Sequence, residues 1–147
     1  MSVPKKEYQK MASAASVKST VLKDCIMAFL VGGFICTLGQ FLIDFYSMLG
    51  ASIDIAKMVS TITLVFLAAF FTAIGVYDDI AKRAGAGTLV PITGFANSVV
   101  SPAIEFKSEG FVLGMGAKMF VIAGPVIVFG TLASIIYGII LWILQII

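Results

Sequence analysis

Four long stretches of this chain carry no Asp, Glu, Lys or Arg: Cys25–Ile43, Met58–Tyr77, Ala84–Ile104 and Met119–Ile147. A hydrocarbon core about 30 Å thick is crossed by about 20 helical residues rising about 1.5 Å each. Three of the four stretches are close to that length. The chain therefore reads as an integral membrane protein. Its apolar runs are continuous and do not alternate at every second residue, so the class is all-α and not a β-barrel. Composition agrees, at 60% hydrophobic and 12% charged, the latter about half the share of a soluble domain. The organisation expected is a basic segment over 1–24 followed by one polytopic membrane domain over 25–147, with three to four transmembrane helices.

Ala84–Ile104 is the exception among the four. It is free of charge yet holds Gly85, Gly87, Pro91, Gly94, Asn97, Ser98, Ser101 and Pro102. In hydrocarbon every backbone N–H and C=O must find a partner within the protein. Pro91 and Pro102 each lack a donor and crowd the preceding turn, and the glycines loosen what remains. Such a stretch is expected to face protein, as a broken, re-entrant segment or as a kinked crossing helix packed by its small residues. The broken, re-entrant form is the expectation adopted here.

The rest of the chain frames that segment. Lys5, Lys6, Lys10, Lys18 and Lys23 face only Glu7 and Asp24 in the first 24 residues, which puts the N-terminus in the cytoplasm by the positive-inside rule. The apolar run that follows is too long for a signal-peptide core, so this end is expected to be retained. Tyr8, Met11, Ala15 and Leu22 form a partial apolar stripe, suited to a short surface helix or a solvated tail. Helix 1, about Asp24 to Tyr46, contains Gly32-Gly33, where a bend or a close helix approach is possible, and Gln40, an interfacial hydrogen-bonder. The loop with Asp44 and Asp54 belongs outside. Helix 2, about Ile55 to Tyr77, ends in Asp78, Asp79, Lys82 and Arg83, acid–base pairs at i,i+4. Gly110 to Ile147 is too long for one crossing, and Gly124-Pro125 supplies an expected break between a short piece and a crossing from Pro125. Tyr137 and Trp142 suit an interfacial belt. The expected helix breaks are thus Gly32, Gly33, Pro91, Pro102, Gly124 and Pro125.

Little here suits catalysis or a metal. The chain has no His and two Cys. Cys25 and Cys36 lie eleven positions apart, about 16 Å along a helix, which is beyond disulfide reach. No metal or haem ligand set is apparent, and no cofactor is expected. Gly85-Ala86-Gly87 lacks the third glycine of a dinucleotide fingerprint, and no Ser has a His base. The protein is expected not to be an enzyme. Its net charge of +2 does not point to nucleic acid, because half of the basic residues sit in the N-terminal segment. The costliest residue is Lys118, unfavourable by about 2.5–3.5 kcal/mol on insertion scales at mid-helix. It either snorkels to the interface or faces an aqueous path as a ligand for an anion. Asn97, Ser98, Ser101 and Thr93 would then add neutral donors along that path, with Arg83 at its mouth.

The run GVYDDIAKRAGAGTLVPITGFANSVVSPAIEFKSEGFVLGMGAKMF, Gly75 to Phe120, resembles the SpoVAC/SpoVAEB family of endospore-forming bacteria. The Lys-rich N-terminus and the hydrophobic layout match too, so the resemblance covers essentially the whole chain. It implies a subunit of the SpoVA complex in the spore inner membrane, which moves dipicolinic acid, as its calcium chelate, into the developing spore and out at germination. It implies as partners a related membrane subunit of the SpoVAEB type and the soluble SpoVAD protein. Three or four spans are too few to enclose a path, so an oligomer or hetero-complex is expected, surrounded by membrane lipid. The alternative within the same complex is a non-conducting assembly subunit.

The charge distribution generates a test of topology. A cysteine reporter placed near Ser52 should react with an impermeant reagent added from outside, and one placed near Lys82 should not. Protection of the Ser52 site would overturn the assignment.

Overall fold

The computed structural model describes residues 20–146, together with Glu7, Tyr8 and Met11. The basic segment, expected to form a short surface helix on Tyr8, Met11, Ala15 and Leu22 or a solvated tail, falls largely outside the described residues. The architecture is all-α. Helix α1 (Val21–Met48) and helix α2 (Ile53–Ala73) form a hairpin, followed by α3 (Val76–Ala84), the single turn α4 (Ala86–Leu89) and α5 (Ile92–Glu105). A 3-10 turn at Lys107–Glu109 and a π-helical turn at Phe111–Gly116 lead into α6 (Ala117–Ile146). Three stretches are long and apolar enough to cross a membrane: Val21–Met48, Ile53–Ala73 and Phe111–Gln145. The intervening segment is broken and is not one of them.

Helix α2 organises the bundle through a row of buried residues, Ala56, Ser60, Leu64, Ala68 and Thr72. A spacing of four stacks side chains in one line along a helix. Four of the five are small, which lets α1 and α5 pack closely against α2. On the α1 side, the Tyr46 and Thr63 hydroxyls lie 2.9 Å apart. Thr63 gives its proton to the Val59 carbonyl, so Tyr46 is the donor of that pair. Gly39 meets the Leu64 side chain lower down. On the other side α5 runs antiparallel to α2: Thr93 borders the same cavity as Tyr77, and Asn97 meets Thr72. Helix α6 packs on the far face of α5.

The expected breaks divide. Pro91 interrupts the helix, with an extended backbone at φ −64 and ψ 164. The other positions do not. Gly32 and Gly33 lie inside an uninterrupted α1, Pro102 inside α5, and Gly124 and Pro125 inside an uninterrupted α6. The reason is hydrogen-bond arithmetic in an apolar solvent. Ending a helix strands up to four carbonyls and opening the next strands up to four amides, whereas a proline within the helix removes one bond. Membrane helices therefore keep going through proline unless other groups satisfy the ends. Helix 2 also ends earlier than expected, at Ala73 and not Tyr77. Gly75 takes φ +78, and its amide donates to the Thr72 carbonyl at 3.0 Å while Ile74 donates to Phe70 at 3.2 Å, a left-handed glycine stop. At the end of α3, Lys82 pairs with Asp79 at 3.1 Å, one residue closer in sequence than the i,i+4 partner expected.

The broken segment docks on α1 by backbone contact. A Cβ on Gly87 would run into the Ala28 carbonyl, and one on Gly32 would lie 3.2 Å from the Gly87 carbonyl oxygen. Gly33, one position on, has open space around it. Gly87→Ala should therefore lower stability by about 1–3 kcal/mol through overpacking, while Gly33→Ala should gain about 0.5–1 kcal/mol of helix propensity. Thermal unfolding of the two variants in detergent checks this. Equal melting of Gly87→Ala and the parent would mean that close approach is not what holds the segment.

Candidate functional site

The candidate site is the broken segment with what touches it. Its two pieces, α4 and α5, are joined at Val90-Pro91, and the groups freed there are answered locally. The Gly94 amide donates to the Pro91 carbonyl at 2.9 Å. Thr88 donates its hydroxyl to the Gly85 carbonyl at 3.0 Å. The Thr88 carbonyl in turn accepts the Tyr77 hydroxyl at 2.9 Å. Burial pushes the Tyr77 phenol above its ordinary range, so it stays protonated and keeps donating. Tyr77 is 6% exposed and Thr88 2%, which places this latch at the centre of the packing between α3 and α4. Sequence reasoning treated Tyr77 as the last residue of helix 2 and missed it. Its signal was a tyrosine beside a glycine stop, eleven positions before a buried threonine.

Of the neutral residues assigned to the site, Thr93 and Asn97 face α2 and Ser98 faces α6. The Thr93 hydroxyl is buried with no hydrogen-bond partner among the described residues. It borders an apolar cavity of about 170 Å³ shared with Leu64, Phe71 and Tyr77. Thr72 Oγ1 lies 2.7 Å from the Ala68 carbonyl and 2.9 Å from Asn97 Oδ1. One hydroxyl proton serves only one acceptor. Turning the Asn97 amide over lets its NH₂ donate to Thr72 while Thr72 donates to Ala68, and both contacts are then satisfied. Ser98 donates to the Phe95 carbonyl at 2.7 Å and borders a cavity of about 450 Å³ with Ile122 and Val126, between α5 and α6. Ser101 is half-buried further along α5.

The two cations mark the two ends. Arg83 is exposed near the end of α3, sharing a cleft with Asp24 and Cys25 at the start of α1. Lys118 is exposed at the start of α6, its ammonium 4.8 Å from the centre of the Phe106 ring just past the end of α5. The 14 residues of α5 alone separate these ends by about 21 Å. The structure thus does not gather the assigned residues into one pocket. It strings neutral hydroxyl and amide groups along α5 and puts a cation beyond each end. The Phe106 ring also answers the absence of an acid near Lys118: an ammonium over an aromatic face is attracted by the ring quadrupole.

Comparison with known proteins follows the same outline. Residues 24–140 match the family model of the SpoVAC/SpoVAEB sporulation membrane protein. The chain is 44% identical over 137 residues to stage V sporulation protein AC of Bacillus subtilis (strain 168), covering 92% of this chain and 91% of that one. No solved structure matches.

The Thr72–Asn97 contact is measurable as a coupling. Thr72→Val and Asn97→Leu should each destabilise the protein, and the double variant should cost less than the two together. The difference should be about 0.6–1.7 kcal/mol, the range for hydrogen bonds between membrane helices. A double-mutant cycle read by unfolding in detergent checks this, and strict additivity would show that the pair contributes nothing.

Proposed function

Because the chain belongs to the SpoVAC/SpoVAEB family of sporulation membrane proteins, we propose that it is a wall-forming subunit of a SpoVA complex in the spore inner membrane. In this reading it moves dipicolinic acid, with its calcium, into the developing spore and out at germination. The observation that carries the reading is the broken segment itself. A chain that served only as an anchor would gain nothing from a Pro-interrupted backbone lined with Thr93, Asn97, Ser98 and Ser101, because each break must be answered by dedicated partners. Dipicolinate is a rigid planar dianion. Exposed cations beyond both ends of the segment, Arg83 and Lys118, suit its entry and exit. The subunit is non-catalytic in this reading. Its path closes only with further copies or with a related SpoVAEB-type membrane subunit, and SpoVAD serves as the soluble dipicolinate-binding partner.

A second reading has its own observation. Thr72–Asn97 and Tyr77–Thr88 are bonds within the chain, as in a packed scaffold that anchors partners while another subunit conducts.

Lys118 separates the two. Lys118→Met keeps the stem and removes the charge, so folding should survive. Under the wall-forming reading spore dipicolinate content and release rate should fall on the order of tenfold, the equivalent of about 1.4 kcal/mol of lost anion attraction. Lys118→Arg should retain part of the activity. Normal transport by a normally abundant Met variant would reduce Lys118 to an interfacial anchor on Phe106 and favour the scaffold.

A further inference from the structure

At the end of the bundle where α1 begins, a cleft of about 480 Å³ opens between Val21, Asp24 and Ala28 on one side and the α3–α4 turn on the other. A second groove, of about 320 Å³, runs along α1 past Gly32, Gly33 and Cys36 to Pro91. Ala28 and Ala86 line both, so the two form one continuous channel on the surface of the protein. Its chemistry changes along its length. The mouth holds Lys82 and Arg83 with Asp24, and the groove beyond is lined by apolar side chains, glycines and one thiol. Lys82 is held by Asp79 at 3.1 Å, and Asp24 accepts the Thr20 hydroxyl at 3.4 Å. Arg83 has no carboxylate within ion-pair distance among the described residues.

We infer that this channel is a binding site for one anionic phospholipid, its phosphate on Arg83 and an acyl chain in the Gly32–Gly33 groove. A guanidinium presents a planar fork of donors that matches phosphate oxygens two at a time, and this free fork, in the last turn of α3, lies beside the first turn of the membrane helix α1, at headgroup level. A soluble anion has no use for the apolar groove, and an uncharged lipid has no use for the unpaired arginine. Only a molecule with an anionic head continuous with a hydrocarbon tail uses both parts. The groove exists because two glycines follow one another on α1. Gly32 is consumed by backbone contact with Gly87, whereas Gly33 faces open space and leaves room for a chain. Arg83 also stands at the mouth of the proposed dipicolinate path, and lipid retention is read without transport, so either assignment can fail without the other.

Native mass spectrometry of the full chain in detergent, with equal amounts of phosphatidylglycerol and phosphatidylcholine of identical acyl chains, tests it. Phosphatidylglycerol should be retained about tenfold over phosphatidylcholine, a difference of about 1.4 kcal/mol. Arg83→Gln should bring the two lipids to parity, and Arg83→Lys should keep part of the preference. Gly33→Leu places a side chain in the open groove and should lower retention of both lipids. Circular dichroism before each measurement establishes that the variant is folded, and the two sites of substitution test the head and tail independently. Undiminished phosphatidylglycerol preference in Arg83→Gln, or undiminished retention in Gly33→Leu, would overturn the inference. So would displacement of phosphatidylglycerol by millimolar inorganic phosphate, which would make the site one for a free anion with no role for the tail.

Discussion

Everything in this bundle depends on answering the backbone groups released where the chain breaks at Val90-Pro91. Water is not available to them in hydrocarbon, and each one left open costs several kcal/mol. The answers come from specific neighbours: Tyr77 donates to the Thr88 carbonyl, and the Gly94 amide turns back onto the Pro91 carbonyl. The Tyr77 bond ties the segment to α3, and on its other side the segment approaches α1 at backbone distance. Glycine at 32 and 87 supplies that distance. The small residues spaced by four along α2 do the same for α5, so packing and hydrogen bonding in this core are one requirement met twice.

Much of this was legible in the amino-acid sequence, and the misses share a cause. Charge-free runs of bilayer length marked the three long helices, and Pro91 was correctly read as a break. Pro102 and Gly124-Pro125 were read by the same rule and yet lie within helices. Local propensity counts what a proline removes and not what ending a helix would strand. The stop at Gly75 was hidden because it sits inside an apolar run, where nothing but its positive φ betrays it.

The site was legible in kind and not in arrangement. Asn97, Thr93 and Ser98 were marked as polar groups at membrane depth, but which neighbour each would face depends on the rotation of α5, which sequence spacing alone does not set. Lys118 shows the same limit. Counting acids three and four positions away found no partner, because its partner is an aromatic ring twelve positions back, brought over by the turn between α5 and α6. Gln40, by contrast, was read as an interfacial hydrogen-bonder and donates to Asp44 one turn on at 2.8 Å, an interaction contained in a single helix.

The contact between Gly87 and α1 also bears on how such a protein is made. Every group that satisfies the broken segment on its first two faces, from Ala28 and Gly32 to Thr72 and Tyr77, precedes it in the chain. During synthesis, which proceeds from the N-terminus, the α1–α2 hairpin is therefore already present when the segment emerges. A stretch too polar and too broken to enter lipid alone can leave the translocation machinery directly onto a prepared surface. Helix α6, emerging last and apolar enough to insert by itself, then closes the remaining face. The order of residues along the chain is also a workable order of insertion.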